Sequence, residues 1–356
     1  MAAEANRLRS VLGASGISDG AGSLILTGSG SSFYACECAA GPLQESLGVT
    51  ASALPAGLIL THPRGSLPPS GKFLLVSLAR SGDSPESGAV VERLLDEQRV
   101  TQLLITCNRD GALAVRFGSK PRVASIVLPP ETNDQSLVMT SSFTNLVLAA
   151  HALAGQDERY LDDAARLSAA ARTLLEERAG DLATLARRPY SAVVYLGSGH
   201  RLGAAHESAL KMLESNGGRV PTMAESFLGL RHGPMAAVSE DSLIVAFLSS
   251  DPVVRAYERD VLAELQRKNL GRWRLVVGER IPPDLAGESE DVRIDVSGGR
   301  RPLDEGRPLD DGQLSLLDVV AGQLLAFFRC LDGGGRPDRP STGVIQRVVE
   351  GFAIHG

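Results

Sequence analysis

The sequence predicts an α/β protein built from two tandem copies of one unit, each a parallel β-sheet flanked by helices in a three-layer, flavodoxin-like sandwich. Three observations carry that prediction. Short apolar runs of buried-strand length recur without polar alternation. Helical patterns lie between them, as a parallel sheet covered on both faces requires. A Gly-Ser-Gly turn at Gly28 reappears at Gly197, which is the period of a duplicated domain rather than of a solenoid.

Four runs mark the first copy: Leu24–Leu26, Phe73–Leu78, Leu103–Thr106 and Ala124–Leu128. Each gives way to a turn or polar loop. The second copy repeats the series with Ala192–Leu196, Ser242–Leu248, Leu275–Val277 and Val292–Val296, the last two running into Gly278–Pro283 and Ser297-Gly298-Gly299. Helices are expected over 88–95, 253–265 and 314–331, and long helices over 157–188. The organisation read from this pattern is an N-terminal segment (1–22), a first domain (23–155), a helical connection (156–188), a second domain (189–335) and a C-terminal tail (336–356).

Composition narrows the function. The chain has 356 residues, 43% hydrophobic and 22% charged, so it can bury cores of ordinary size. A net charge of −6 argues against nucleic-acid binding by bulk charge. No apolar run is long enough to suggest a membrane span, and the first residues show no signal-peptide pattern. A cytoplasmic protein is expected. The cysteines Cys36, Cys38, Cys107 and Cys330 lack metal or redox spacing, and neither a metal nor a cofactor is called for.

In open parallel sheets, ligands sit beyond the carboxyl ends of the strands. Two Ser-rich loops of the first copy end there: Gly28-Ser29-Gly30-Ser31-Ser32 and Arg80-Ser81-Gly82-Asp83-Ser84. Glycine lets the backbone approach an anion, a helix N-terminus supplies N–H groups, and serine hydroxyls suit phosphate oxygens. A dinucleotide fingerprint competes, but its third glycine is replaced by Phe33 and no acid ends the next strand. The plainer alternative is that Ser31 and Ser84 only cap helices.

The second copy carries acid–base residues instead. Glu207, Lys211 and Glu214 are spaced i, i+4, i+7 and share one helix face. Spacing alone also fits a solvated salt-bridge stripe. Downstream, Glu225–Pro234 reads as an irregular loop in which Arg231 flanks His232, an acid/base candidate near an anion. His200 follows the second glycine turn and is ambiguous, whereas His62, His151, His206 and His355 read as structural.

These motifs, in this order, resemble the sugar isomerase (SIS) domain family, with one SIS domain in each half. The carrying residues are Leu26–Ser32, Ala79–Ser87, Met139–Ser142, Tyr195–Gly199, Glu207–Glu214, Arg231–Pro234 and Arg347–Gly351. The whole chain is similar to the AgaS branch, the tagatose-6-phosphate ketose/aldose isomerases and galactosamine-6-phosphate deaminases. The resemblance implies a small-molecule phosphosugar substrate. Gly30, Ser31, Ser32, Arg80, Ser81, Ser84, Ser142 and Arg231 would bind substrate or phosphate. By likeness to the isomerase domain of glucosamine-6-phosphate synthase, Glu214 would shuttle the proton, Lys211 would assist it, and His232 would help open the ring from the neighbouring subunit of a homodimer. No lysine follows Lys268, so that synthase's terminal catalytic lysine has no counterpart. The expected reaction converts an amino-sugar 6-phosphate to a ketose 6-phosphate and ammonia. Isomerisation or deglycation of another phosphosugar, or non-catalytic phosphosugar sensing, are the alternatives.

Overall fold

The computed structural model describes residues 2–17, 22–155, 157–282, 285, 291–297, 308–340, 343–348, 351 and 353–355. Pro283, Gly298, Gly299, Val349 and Glu350, named above, lie outside the described residues. The chain divides into two compact units, 1–164 with 343–356, and 165–342. The division falls inside a helix of the expected connection, and residues 343–356 of the expected tail group with the first unit.

In unit 1, α1 (Ala2–Ser15) precedes β1 (Ser23–Gly28), α2 (Ser31–Leu47), β2 (Thr50–Pro55), α3 (Ala56–Thr61) and α4 (Pro63–Ser66). β3 (Phe73–Ala79), α5 (Pro85–Arg93), β4 (Val100–Thr106), α6 (Ala112–Phe117), β5 (Val123–Val127) and α7 (Ser141–His151) follow. α8 (Asp157–Glu177) leads to unit 2, where α9 (Ala179–Ala186) precedes β6 (Ala192–Gly197), α10 (Arg201–Ser215), β7 (Thr222–Ser226) and α11 (Phe227–Leu230). The unit closes with β8 (Ser242–Phe247), α12 (Pro252–Arg267), β9 (Trp273–Gly278), β10 (Val292–Asp295) and α13 (Asp311–Asp332).

Both sheets are parallel and share one strand order, β2-β1-β3-β4-β5 in unit 1 and β7-β6-β8-β9-β10 in unit 2. The duplication extends to register. Leu24 pairs with Leu74 in one sheet, and their counterparts Val193 and Leu243 pair in the other. The central strands β3, β8 and β9 are buried at every position, which is why their sequences carry no polar alternation.

Each sheet has five strands, not the four expected. The missed strands, β2 and β7, are the edge strands beside β1 and β6. β2 reads Thr-Ala-Ser-Ala-Leu-Pro and β7 reads Thr-Met-Ala-Glu-Ser; nearly all their residues are only half-buried, so neither makes an apolar run. Pro55 is tolerated because it ends an edge strand. The loop expected over Glu225–Pro234 is also corrected. Glu225 and Ser226 end β7, and α11 follows, capped by the Ser226 hydroxyl, which accepts from Gly229 N at 3.0 Å.

α13 is the one helix among the described residues long and apolar enough to cross a bilayer by length and composition. Most of it is buried in unit 2, where it packs chiefly on α10 and α9. The four cysteines are buried, none in a disulfide.

Candidate active site

In unit 1 the two Ser-rich loops leave neighbouring strands, β1 and β3, at the carboxyl edge. Gly30 occupies the N-cap position of α2 with φ +57°, a conformation that favours glycine. No side chain caps α2 there, and Ser84, the N-cap residue of α5, makes no capping bond either. The N-cap position of α2 is thus Gly30 rather than Ser31, and the Ser84 hydroxyl makes no capping bond to α5.

The second loop is held rigidly. Ser81 Oγ accepts from Asp83 N at 3.2 Å, and Ser81 O accepts from Asn108 Nδ2 at 3.0 Å. Asp83 Oδ1 accepts from Ala112 N at 2.8 Å, and Leu113 N donates to Gly82 O at 2.9 Å. A Cβ on Gly111 would lie 2.0 Å from Ser81 O, so only glycine lets the β4–α6 turn close on this loop.

Two expected phosphate ligands are engaged with protein. Arg80 is buried and donates to Leu137 O at 2.8 Å and to Arg347 O at 2.7 Å. Ser142 is fully buried and donates its hydroxyl to Asp134. Asp134 also accepts from Thr140 N at 2.9 Å, Thr140 Oγ1 at 2.6 Å, Ser141 N at 2.9 Å and Ser142 N at 3.0 Å, closing the N-terminus of α7. Burial works to raise the Asp134 pKa, but the Ser142 and Thr140 hydrogen bonds outweigh it and hold the carboxyl below its ordinary value. Arg80 reaches partners 57 and 267 residues away, and Ser142 turns onto Asp134 eight residues before it; no local pattern reveals either contact.

In unit 2 the acid–base ladder is buried rather than solvated. Glu207 is 0% exposed and Lys211 1%, while Glu214 is 22% exposed. Lys211 Nζ lies 3.4 Å from Glu207 Oε1 and donates to Glu214 Oε2. Two carboxylates thus offset the cost of desolvating one ammonium. Glu214 alone of the three keeps an exposed surface.

His232 is exposed, and it does not share an end of the unit with Glu214. α10 crosses back from the carboxyl end of β6 to the start of β7, so Glu214, near its C-terminus, lies toward the amino edge of the sheet. His232 follows α11 beyond the carboxyl end of β7. β7 alone places them on the order of 13 Å apart. Arg231 is half-exposed and donates from Nε to Glu264 Oε2 at 2.8 Å; Glu264 also accepts from Lys268 Nζ at 2.7 Å. Here too an expected substrate ligand is held by a carboxylate.

Sequence reasoning missed a cluster at the carboxyl edge of unit 2. Arg201 occupies the place in the second glycine turn that Ser32 has in the first. It is fully buried, pairs with Asp318 through Nε at 2.8 Å and through Nη2, and donates to Leu248 O and, at 3.4 Å, to Val277 O. Asp311 accepts from Ser250 N at 2.6 Å and from the Ser249 hydroxyl. Glu258 accepts from Ser249 N at 2.8 Å, and Asp251 accepts from Val253 N and Val254 N at the start of α12. The donors that would face an anion in this copy are satisfied by its own carboxylates. Burial pushes Asp318 up to about 7 although Arg201 pulls it down. The available signal was Asp318 itself, an acid inside the one helix among the described residues long and apolar enough to cross a bilayer. Among the described residues no group of His, Cys, Asp and Glu could hold a metal ion.

No protein-family model matches the chain. Relatives decide the family. A Streptomyces coelicolor protein that carries the AgaS name is 39% identical over 339 residues, covering 93% of this chain and 84% of its own. D-galactosamine-6-phosphate deaminase AgaS of Escherichia coli is 36% identical over 340 residues, covering 93% of this chain and 85% of its own. The chain belongs to the AgaS family. The crystal structure of tagatose-6-phosphate ketose/aldose isomerase from Escherichia coli superposes on this AgaS-family chain with a TM-score of 0.83 at 30% identity, covering 99% of this chain and 90% of that one. The relatives are enzymes named for phosphosugar chemistry, and the tandem SIS-domain architecture stands.

Proposed function

We propose that this AgaS-family chain is a D-galactosamine-6-phosphate deaminase that acts through an isomerisation step. The buried Glu207–Lys211–Glu214 ladder carries the reading. It fixes one carboxylate, Glu214, with a surface for substrate and a cation beside it.

The chemistry follows from that pair. In the open-chain sugar, Glu214 takes the proton from C2, and the electrons move into the C1–C2 bond to give an enolamine. The same carboxylate returns the proton to C1, which leaves an iminium at C2. Water adds there and ammonia leaves, giving the ketose 6-phosphate. The Lys211 ammonium stabilises the negative charge that develops on the substrate oxygen. The Ser31–Ser32 and Ser81–Ser84 loops hold the phosphate. The Ser84 hydroxyl, which makes no capping bond to α5, and the positive-φ Gly30 at the start of α2 support that role.

A homodimer is part of the proposal, with His232 of a second copy opening the ring. The separation of Glu214 and His232 along β7 supports this, because one unit does not bring them together. We place the enzyme in the cytoplasm, in keeping with four buried cysteines outside any disulfide.

The test is Glu214→Gln. General-base loss predicts a fall in ammonia release from galactosamine 6-phosphate of about 10²–10⁴-fold with phosphosugar binding retained. Turnover within tenfold of wild type refutes the mechanism. A panel of sugar phosphates, read for ammonia and for ketose separately, distinguishes the deaminase from a plain aldose/ketose isomerase.

A further inference from the structure

We propose that Arg347 is a positioning residue: together with Arg80 it fastens the C-terminal segment to the phosphate-binding edge of unit 1 and sets the Ser81–Ser84 loop for substrate. The inference rests on the phosphate role given to that loop above.

The two arginines form an interlocked brace. Arg80, the residue before the loop, donates to Ser136 O at 3.4 Å, to Leu137 O at 2.8 Å and to Arg347 O at 2.7 Å. Arg347 reaches back, with Nε on Asp134 O at 3.1 Å and Nη2 on both Asn133 Oδ1, at 2.7 Å, and Asp134 O. Asp134 in turn holds Thr140, Ser141 and Ser142 at the start of α7. α7 packs on α2, the helix that begins with Ser31 and Ser32, and Ser32 Oγ lies 3.9 Å from Met139 Sδ. One network thus joins the C-terminal segment to three elements of the anion edge: the loop after β3, the start of α7 and the start of α2.

The chemistry of the brace requires guanidinium. Arg347 spans a side-chain amide oxygen and a backbone carbonyl with a planar fork of donors, which an ammonium on a flexible stem does not reproduce. Without it, the 343–348 segment loses its hold on residues 133–134, and Arg80 loses the ordered carbonyl of Arg347. The loop keeps its own bonds, but its Arg80 anchor and the 133–134 segment would then have to be re-ordered when substrate binds, which weakens binding. The acid–base ladder stands in the other unit, so the loss falls on binding in the ground and transition states alike.

The experiment compares wild type, Arg347→Ala and Arg347→Lys in the full chain. Arg347 lies outside both sheets, so the variants are expected to fold, and a thermal melt checks this. The expected result is a KM for galactosamine 6-phosphate raised about tenfold in both variants, with kcat within twofold. Competitive inhibition by inorganic phosphate should weaken in parallel, and the melting temperature should not move. Unchanged KM and phosphate inhibition overturn the proposal. So does full recovery in Arg347→Lys, which would show that charge alone matters, or a loss of kcat that tracks a lowered melting temperature, which would mark a purely structural role. If wild type binds galactosamine 6-phosphate but releases no ammonia, the proposed reaction fails. Titration of that ligand into wild type and Arg347→Ala then still decides the brace.

Discussion

Replacing Arg201 with Met tests how unit 2 tolerates its buried ion pair. Both Arg201 and Asp318 are fully buried. The substitution removes a bidentate pair and the donors to Leu248 O and Val277 O, and it leaves the Asp318 carboxyl in an apolar helix interface. Breaking a buried pair by deleting one partner costs about 3–5 kcal/mol. At roughly 2–4 °C per kcal/mol for a domain of this size, the unit 2 transition should fall by about 6–20 °C. Thermal and urea unfolding followed by circular dichroism at neutral pH would measure it. The double variant Arg201→Met/Asp318→Leu should recover to within about 1 kcal/mol of wild type, because an apolar pair of similar volume avoids the desolvation cost. A single variant that loses less than about 1 kcal/mol, or a double variant no better than the single, refutes the reasoning.

Two further outcomes are expected. Asp134→Asn should lose the carboxylate's charge-assisted cap on α7, about 1–2 kcal/mol at neutral pH. Because the folded pKa of Asp134 is depressed, the wild-type advantage is present above the ordinary carboxyl value and closes as pH falls through the folded pKa; urea unfolding of both proteins across acid pH reads it, and a constant difference would contradict the assignment. Gly111→Ala should displace the Ser81 loop, since the new Cβ meets Ser81 O at 2.0 Å, with a stability cost of about 1–3 kcal/mol and a raised KM for the phosphosugar; a variant with wild-type KM and melting temperature would show that the loop accommodates the methyl group.

Much of the architecture was legible because its signals are local. Phe73–Ala79 and Ser242–Phe247 are buried on both faces, so their composition alone marks them as central strands. β2 and β7 escaped notice because an edge strand carries mixed residues and needs no apolar run. Lys211 and Glu214 were found from helical spacing, yet spacing could not tell a buried ladder from a solvated one; the full burial of Glu207 did. The resemblance implied Arg80 and Ser142 as phosphate ligands, and the structure adds the bonds they make within the protein, to Arg347, Leu137 and Asp134.

The sequence by itself determined a duplicated α/β protein with a Ser-rich edge in one copy and an acid–base helix in the other. Periodicity, glycine turns and i, i+4, i+7 spacing all act within a few residues, so they can be read along the chain. Only the tertiary structure decided which polar groups pair with one another and which stay exposed. Arg201 finds Asp318, and Arg80 finds Arg347, across more than a hundred residues of chain. In a buried setting a charge is stable only with such a partner, and the partner's place is set by how the sheet and its helices pack. The duplicated turn ending in Ser32 in one unit and in Arg201 in the other thus leads to opposite fates, one edge lined by serines and a positive-φ glycine and the other filled by the protein's own carboxylates.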